Sequence, residues 1–393
     1  MSAFGLVTVA LCMAALVIDG LDYQLLALVA PPIMSEWGVA RGDFGAAMAA
    51  ALFGMAFGAA GGGWLGDRIG RVRALVLAVA LFGAATIAVS RADDVTELAI
   101  LRIAGGVGFG AAGPNAIALA SEWVPLRLRT YVIALLAIGT PAGGMIGAAM
   151  LPSILTGLGW RGVFVVLGAA GVVLGGILLA SLREPVPTGR QAVEGAGLLA
   201  ASNMRLNIGV GLSFAALTAV VYGLAAWMPT FLTAAGFTLA EALDASFALN
   251  AFSILGALAA GWLARAQGSR RVMLASAVAT ALALVTFGAV LELRPDARVA
   301  LIALAAGVGA AASIGVTTLY AMAALLYPPE IRSGGIGLGM TMGRIGGIAM
   351  SFAGGYLLDM AGGSALILFG ALSACALAAT SAGWFVRQHI PPA

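Results

Sequence analysis

Two aspartates three positions apart, Asp19 and Asp22 in VIDGLDYQLL, stand in a stretch otherwise apolar enough to lie in hydrocarbon. A spacing of three puts them on one face of a helix. A charged side chain at the centre of a membrane helix costs roughly 2.5–3.5 kcal/mol, so such groups are kept where a partner or a wet cavity recovers that cost. Arg102, in LRIAGGVGFG, and Arg344, in TMGRIGGIAM, are also inside apolar stretches. Two carboxylates that close favour sharing one proton, and an arginine beside them works against it. A carboxylate whose hold on a proton depends on whether an arginine is alongside has the chemistry of a proton carrier. Arg344, with no acid evident on its own stretch, suits an anionic ligand, because a planar guanidinium matches a carboxylate. The plainer readings are a static tie between helices for an Asp–Arg pair, a packing acid facing water for Asp19, and snorkelling to the surface for Arg344.

The elements that must hold these groups are legible in composition. The chain is 62% hydrophobic and 9% charged, with a mean hydropathy of +1.05, where a soluble domain is about 25% charged. Windows of about 20 mostly apolar residues number roughly twelve. They fall at 4–33, 44–64, 74–91, 97–121, 130–155, 161–182, 205–234, 240–264, 271–291, 298–326, 333–358 and 364–386. Runs this long predict helices, since barrel strands need only about 9–11 residues of alternating polarity. Abundant Gly and Ala suit helices that pack backbone to backbone. All 20 basic residues are arginine. Thirteen fall in one set of loops and ends and five in the other (Arg41, Arg91, Arg161, Arg294 and Arg298), which sets both termini in the cytoplasm. The first span holds two acids and is too long for a signal peptide, so it is read as a retained helix. Cys12 and Cys375 lie in spans, and His389 is in the tail. No metal or nucleophile–base set emerges, which disfavours an enzyme. No cofactor is expected beyond protons as coupling ion.

The chain repeats itself across REPVPTGRQAVEGAGLLAASNMR, its longest polar break. GGWLGDRIGRVRAL at 62–75 echoes AGWLARAQGSRRVML at 260–274, an offset of 198, and GTPAGG at 139–144 matches MGRIGG at 342–347, an offset of 203. Self-similarity at half the length predicts two six-helix halves as parallel repeats with a substrate site where they meet. The halves are residues 1–182 and 205–393, joined by a cytoplasmic linker at 183–204. A duplication kept only for packing is the bland alternative.

GGGWLGDRIGRVRAL resembles the G-x-L-x-D-R-x-G-R-x-x motif of the major facilitator superfamily, found between its second and third helices. The resemblance implies an all-α membrane fold of twelve spanning helices. It also implies that Asp67 steadies the outward-facing state, with Gly63, Gly70 and Arg71 shaping the turn and Arg68 in the headgroup zone. D-G-x-D, as Asp19, Gly20 and Asp22, is similar to the aromatic acid:proton symporter branch. So are RIAGGVGFGAAGPNAIALASEWVPLRLRT at 102–130, AAWMPTFL at 225–232 and PPEIRSGGIGLGMTMGRIGG at 328–347. By this resemblance Asp22 is the protonatable acid and Arg102 its partner.

Polar and aromatic residues inside spans remain as candidates for the binding site: Tyr23, Gln24, Asn115, Tyr222, Trp227, Asn250 and Tyr320. Plain helix–helix hydrogen bonding is the alternative for each, and for Trp227 a place in an interfacial belt. Glu122 and Glu330, near Arg129 and Arg332 at cytoplasmic helix ends, read as inner-gate salt bridges. These features point to a monomeric, proton-coupled importer of a small organic anion in a bacterial inner membrane, with lipid but no nucleic acid as partner. A uniporter, a drug:proton antiporter and a non-transporting sensor of the same fold are the rivals.

Overall fold

The computed structural model describes residues 3–125, 128, 132, 135, 136, 138–184, 200–327, 332–360, 364–383 and 386. Arg129 and Glu330, and the side chains of Asp19, Asp67 and Arg332, lie outside the described residues. Each regular element among the described residues is an α-helix. They are α1 (Ala3–Trp37), α2 (Arg41–Ile69), α3 (Arg71–Val89), α4 (Val95–Glu122), α5 (Gly139–Ser181), α6 (Ala201–Ala234), α7 (Leu239–Gln267), α8 (Ser269–Leu293), α9 (Arg298–Leu326), α10 (Arg332–Met360) and α11 (Leu366–Gly383). Nine helices among the described residues are long and apolar enough to cross a membrane. Lipid offers no partner to backbone N–H and C=O groups, and a helix satisfies them within itself.

The two spans expected at 130–155 and 161–182 are the two helical stretches of α5, which meet at a kink at Gly159 (φ 63°, ψ −179°). No element between the two segments separates them. The glycine alone breaks the ladder, in a conformation that side chains rarely adopt.

The chain divides into two compact units, Met1–Val39 with Ala46–Thr188, and Ala40–Gly45 with Gly189–Ala393. In the first, α1 packs on α5, and α3 packs on both α4 and α5. In the second, α6 lies against α10 and α11, and α9 against α7 and α8. Ala40–Gly45 goes with the second unit because the Gly42 N–H, in the first turn of α2, donates to Asp359 Oδ2 at 2.7 Å. A carboxylate at a helix N-terminus satisfies orphan donors and meets the positive end of the dipole.

Inside the units the repeat reappears as geometry. Gly70 (φ 101°) turns the chain between α2 and α3, and Gly268 (φ 82°) turns it between α7 and α8. Gly38 and Gly236 likewise follow α1 and α6. Both pairs are 198 residues apart, the offset of the first sequence repeat. The contact between α1 and α5 is also reproduced between α6 and α10. A Cβ on Gly143 would come within 2.1 Å of the Val17 carbonyl, and one on Gly346 within 2.0 Å of the Ala215 carbonyl. One step on, Gly144 lies under the Gln24 side chain and Gly347 under the Tyr222 ring. GTPAGG and MGRIGG are therefore alike because each lets two backbones touch.

Gly20, the glycine of D-G-x-D, has the same reason. A Cβ there would come within 2.1 Å of the Thr140 carbonyl on α5. Gly20→Ala is expected to push α1 off α5 at the turn that carries Asp22. Overpacking of a tight contact costs about 1–3 kcal/mol, and backbone cannot swing aside as a side chain can. Thermal unfolding in detergent checks this, and an unchanged midpoint would show that the helices separate without strain.

Candidate functional site

In the first unit, three helices converge on Asp22. Arg102 Nη1, from α4, donates to Asp22 Oδ2 at 2.7 Å. Arg102 Nη2 donates to the main-chain carbonyl of Asp22 at 3.0 Å. Thr86 Oγ1, from α3, donates to Asp22 Oδ1 at 3.1 Å. Asp22 is 3% exposed and Arg102 2%. The guanidinium thus straddles one carboxylate oxygen and one backbone oxygen, and does not spread its fork over both carboxylate oxygens. Arg102 Nε is buried with no partner. Breaking a buried pair by removing one member costs about 3–5 kcal/mol, because the other charge is stranded.

The rest of the first unit's candidates fall into two groups. Gln24 is buried beside Gly144, and Tyr23 is half-buried next to it in sequence. Asn115 spends its amide hydrogens on the Gly62 and Ala111 carbonyls, both at 2.8 Å, and so ties α4 to α2. Its donors are used up on one carbonyl of α2 and one of its own helix, which makes it a packing residue and not a lining one. At the far end of these helices, Arg71 Nε meets Glu122 Oε1 at 2.9 Å. Arg68 is exposed and stacks on Trp64 at 4.1 Å. Gly63, expected at the turn, lies inside α2 with open space where its Cβ would be. The α2 ladder runs on to the Gly70 N–H, which bonds to the Gly66 carbonyl at 3.1 Å, so Gly70 alone makes the turn. Asp67 sits in the last turn of α2, before α3 begins. Glu184, read in sequence only as linker, accepts from the Arg73 N–H at 3.1 Å at the start of α3 and fills the space a Gly70 side chain would need.

In the second unit, Arg344 on α10 is half-buried, and among the described residues no carboxylate pairs with it. Tyr320 on α9 interacts electrostatically with both Arg344 and Tyr222, and its ring meets Phe214 edge-on at 4.8 Å. A cation and two phenols therefore come together from α6, α9 and α10, with Tyr320 resting on the buried ring of Phe214. Trp227 does not belong to this group, nor to an interfacial belt. It is fully buried, its indole N–H donates to the Ser351 carbonyl at 2.9 Å, and its ring fills the space above Gly354. Asn250 bonds back to the Ser246 carbonyl at 2.9 Å within α7. Nothing in the sequence marks out Thr86, one hydroxyl in an apolar run, because its role depends on which face of α3 meets α1.

A buried ion pair within a bundle of long apolar helices is the signature of a membrane transporter, and residues 12–267 and 239–393 match the model of the Major Facilitator Superfamily. The chain belongs to that superfamily; it is a multi-pass membrane transporter and not an enzyme. Among its relatives is the 4-hydroxybenzoate transporter PcaK of Pseudomonas putida, 29% identical over 86% of this chain and 83% of that protein. The 3-(3-hydroxy-phenyl)propionate transporter of Escherichia coli (strain K12) is 31% identical over 88% of this chain and 85% of its own length. The gallate transporter of Pseudomonas putida is 27% identical, over 88% and 84%. The likeness to the aromatic acid:proton symporter branch seen in D-G-x-D thus extends along the chain. In fold, it is similar to the crystal structure of a bacterial homolog of the human lysosomal transporter Spinster (TM-score 0.75, 20% identity, 98% of this chain and 96% of that one). A D-xylose-proton symporter is similar too (TM-score 0.74, 17% identity, 100% and 98%).

Proposed function

We propose that the chain is a proton-coupled symporter that imports a small aromatic carboxylic acid by alternating access. The Asp22–Arg102 pair carries this reading. A carboxylate held out of water by one arginine and one hydroxyl, in a helix bundle with no other buried acid–base pair among the described residues, is placed to take up and release a proton. The names of the relatives support an aromatic acid as substrate. Arg344 takes its carboxylate, and Tyr222 and Tyr320 offer surfaces for its ring. The halves 1–182 and 205–393 move as bodies about the linker 183–204, and Asp67, Arg71, Glu122, Arg129, Glu330 and Arg332 control the inner side. The protein works as a monomer in the bacterial inner membrane, with both termini in the cytoplasm and the proton as its coupling ion.

Proteoliposomes holding the purified chain test this with labelled 4-hydroxybenzoate. An inward proton gradient is expected to drive accumulation of about tenfold per pH unit for one coupled proton. Collapse of the gradient with a protonophore should return the probe to equal concentrations on both sides. Uptake that equilibrates alike with and without the gradient would mark a uniporter, and gradient-driven expulsion an antiporter.

A further inference from the structure

Several hydroxyls buried in these helices share one habit, although Ser213 donates to another helix and Thr230 and Ser351 find no partner among the described residues. Thr8, Ser246, Thr280 and Thr318 each donate to a carbonyl four residues back in their own helix, as helical Ser and Thr usually do. Thr86 departs from it. Only 1% exposed, it donates across from α3 to Oδ1 of Asp22 on α1.

The two oxygens of Asp22 consequently face unlike neighbours. Oδ2 faces Arg102 Nη1, and a guanidinium has donors only. A proton on Oδ2 would set O–H against N–H. A proton on Oδ1 meets a hydroxyl, which can give a hydrogen bond or receive one. We propose that Asp22 binds the coupling proton at Oδ1 and that Thr86 is the positioning residue that makes this oxygen the site; the inference rests on the proton-coupled reading above.

The step balances simply. A proton from water forms an O–H bond at Oδ1 and neutralises the carboxylate. The Thr86 hydroxyl rotates, accepts from that new O–H, and returns its own hydrogen to a carbonyl one turn back in α3. Release reverses both moves. Arg102 stays anchored throughout, because its Nη2 is held by the Asp22 main-chain carbonyl, whose charge does not change. Protonation thus requires the turn of one hydroxyl and no rearrangement of a buried guanidinium.

Other charged groups on the helices around α1 are engaged elsewhere. Arg71 of α3 pairs with Glu122 of α4. Glu97 accepts from the Asp93 N–H at the start of α4. Arg161 of α5 pairs with Glu36, and Arg68 of α2 stacks on Trp64. Among the described residues, Asp22 therefore faces Arg102 and Thr86.

The test is the pH profile of labelled 4-hydroxybenzoate uptake into proteoliposomes of the full chain. Thr86→Val removes the donor that favours the charged carboxylate, and the pH of half-maximal uptake is expected to rise by about 1. Thr86→Ser keeps the hydroxyl and should keep the wild-type profile. Thr86→Ala, smaller than threonine, carries the same test if valine blocks insertion. A Thr86→Val or Thr86→Ala profile that superimposes on the wild type, or that falls evenly at all pH values with its midpoint unmoved, overturns the assignment. Asp22→Asn separates the two levels of failure. If acid-driven uptake survives in Asp22→Asn, the coupling reading itself is wrong. If it is lost there while the Thr86 variants keep the wild-type midpoint, the role of Thr86 alone is refuted.

Discussion

Asp22→Asn is expected to abolish accumulation of 4-hydroxybenzoate against its gradient while exchange of labelled for unlabelled probe continues at a reduced rate. The expected accumulation falls from about tenfold per pH unit of gradient to none. An amide presents an oxygen to Arg102 and an N–H₂ toward Thr86, so the three helices stay joined, but it cannot bind and release a proton. The contrast with Asp22→Ala makes the argument specific. Both variants remove the charge, but alanine also removes the oxygens that Arg102 and Thr86 bond to. Breaking a buried pair in this way costs about 3–5 kcal/mol, so that variant should also unfold at lower temperature. Counterflow in vesicles and thermal unfolding in detergent, measured on the same preparations, distinguish a transporter that has lost coupling from one that has lost structure. Asp22→Asn vesicles that still concentrate the probe when the outside is acid would remove the pair from the mechanism.

Arg344→Ala is expected to raise the half-saturating concentration of carboxylate probes by about 10–100-fold, the range for loss of hydrogen bonds to a charged group of about 1.5–3 kcal/mol. Arg344→Lys should recover part of that loss, since it restores charge but not the planar fork. A neutral analogue such as 4-hydroxybenzamide provides the control, because its affinity should be weak in the wild type and almost unchanged in Arg344→Ala. The basis is the position of Arg344, half-buried on α10, electrostatically coupled to Tyr320 and, among the described residues, without a carboxylate of its own. Equal affinities for benzoate in the wild type and in Arg344→Ala would end the assignment of that arginine to the substrate.

Much of this protein was legible without coordinates, and the reason is physical. Apolar run length decides where helices form in lipid, so ten of the spans read from the sequence appear as separate helices α1–α4 and α6–α11. The other two are the two stretches of α5 on either side of Gly159, and only the backbone angles there, which composition does not encode, show how sharply they meet. Charge in hydrocarbon is rare enough to be seen from one sequence, which is why Asp22 and Arg102 stood out, and the resemblance to the symporter branch paired them although 80 residues separate them. The repeat offset, too, was visible in GTPAGG and MGRIGG.

Uncharged polar residues were another matter. Asn115, Trp227 and Asn250 are chemically fit to line a binding site, yet Asn115 and Trp227 bond to backbone carbonyls of neighbouring helices and Asn250 to one within its own. Thr86, which had no distinguishing neighbour in sequence, was placed on the central carboxylate. The sequence by itself determined that there is a helical membrane protein with a buried acid and a buried base, because the energetic cost of solvating a charge in lipid constrains residue type directly. Only the tertiary structure decided which oxygen of Asp22 meets which partner and which amides are already satisfied, because a hydrogen bond depends on the rotation of one helix about its axis against another, and many sequences permit the same rotation.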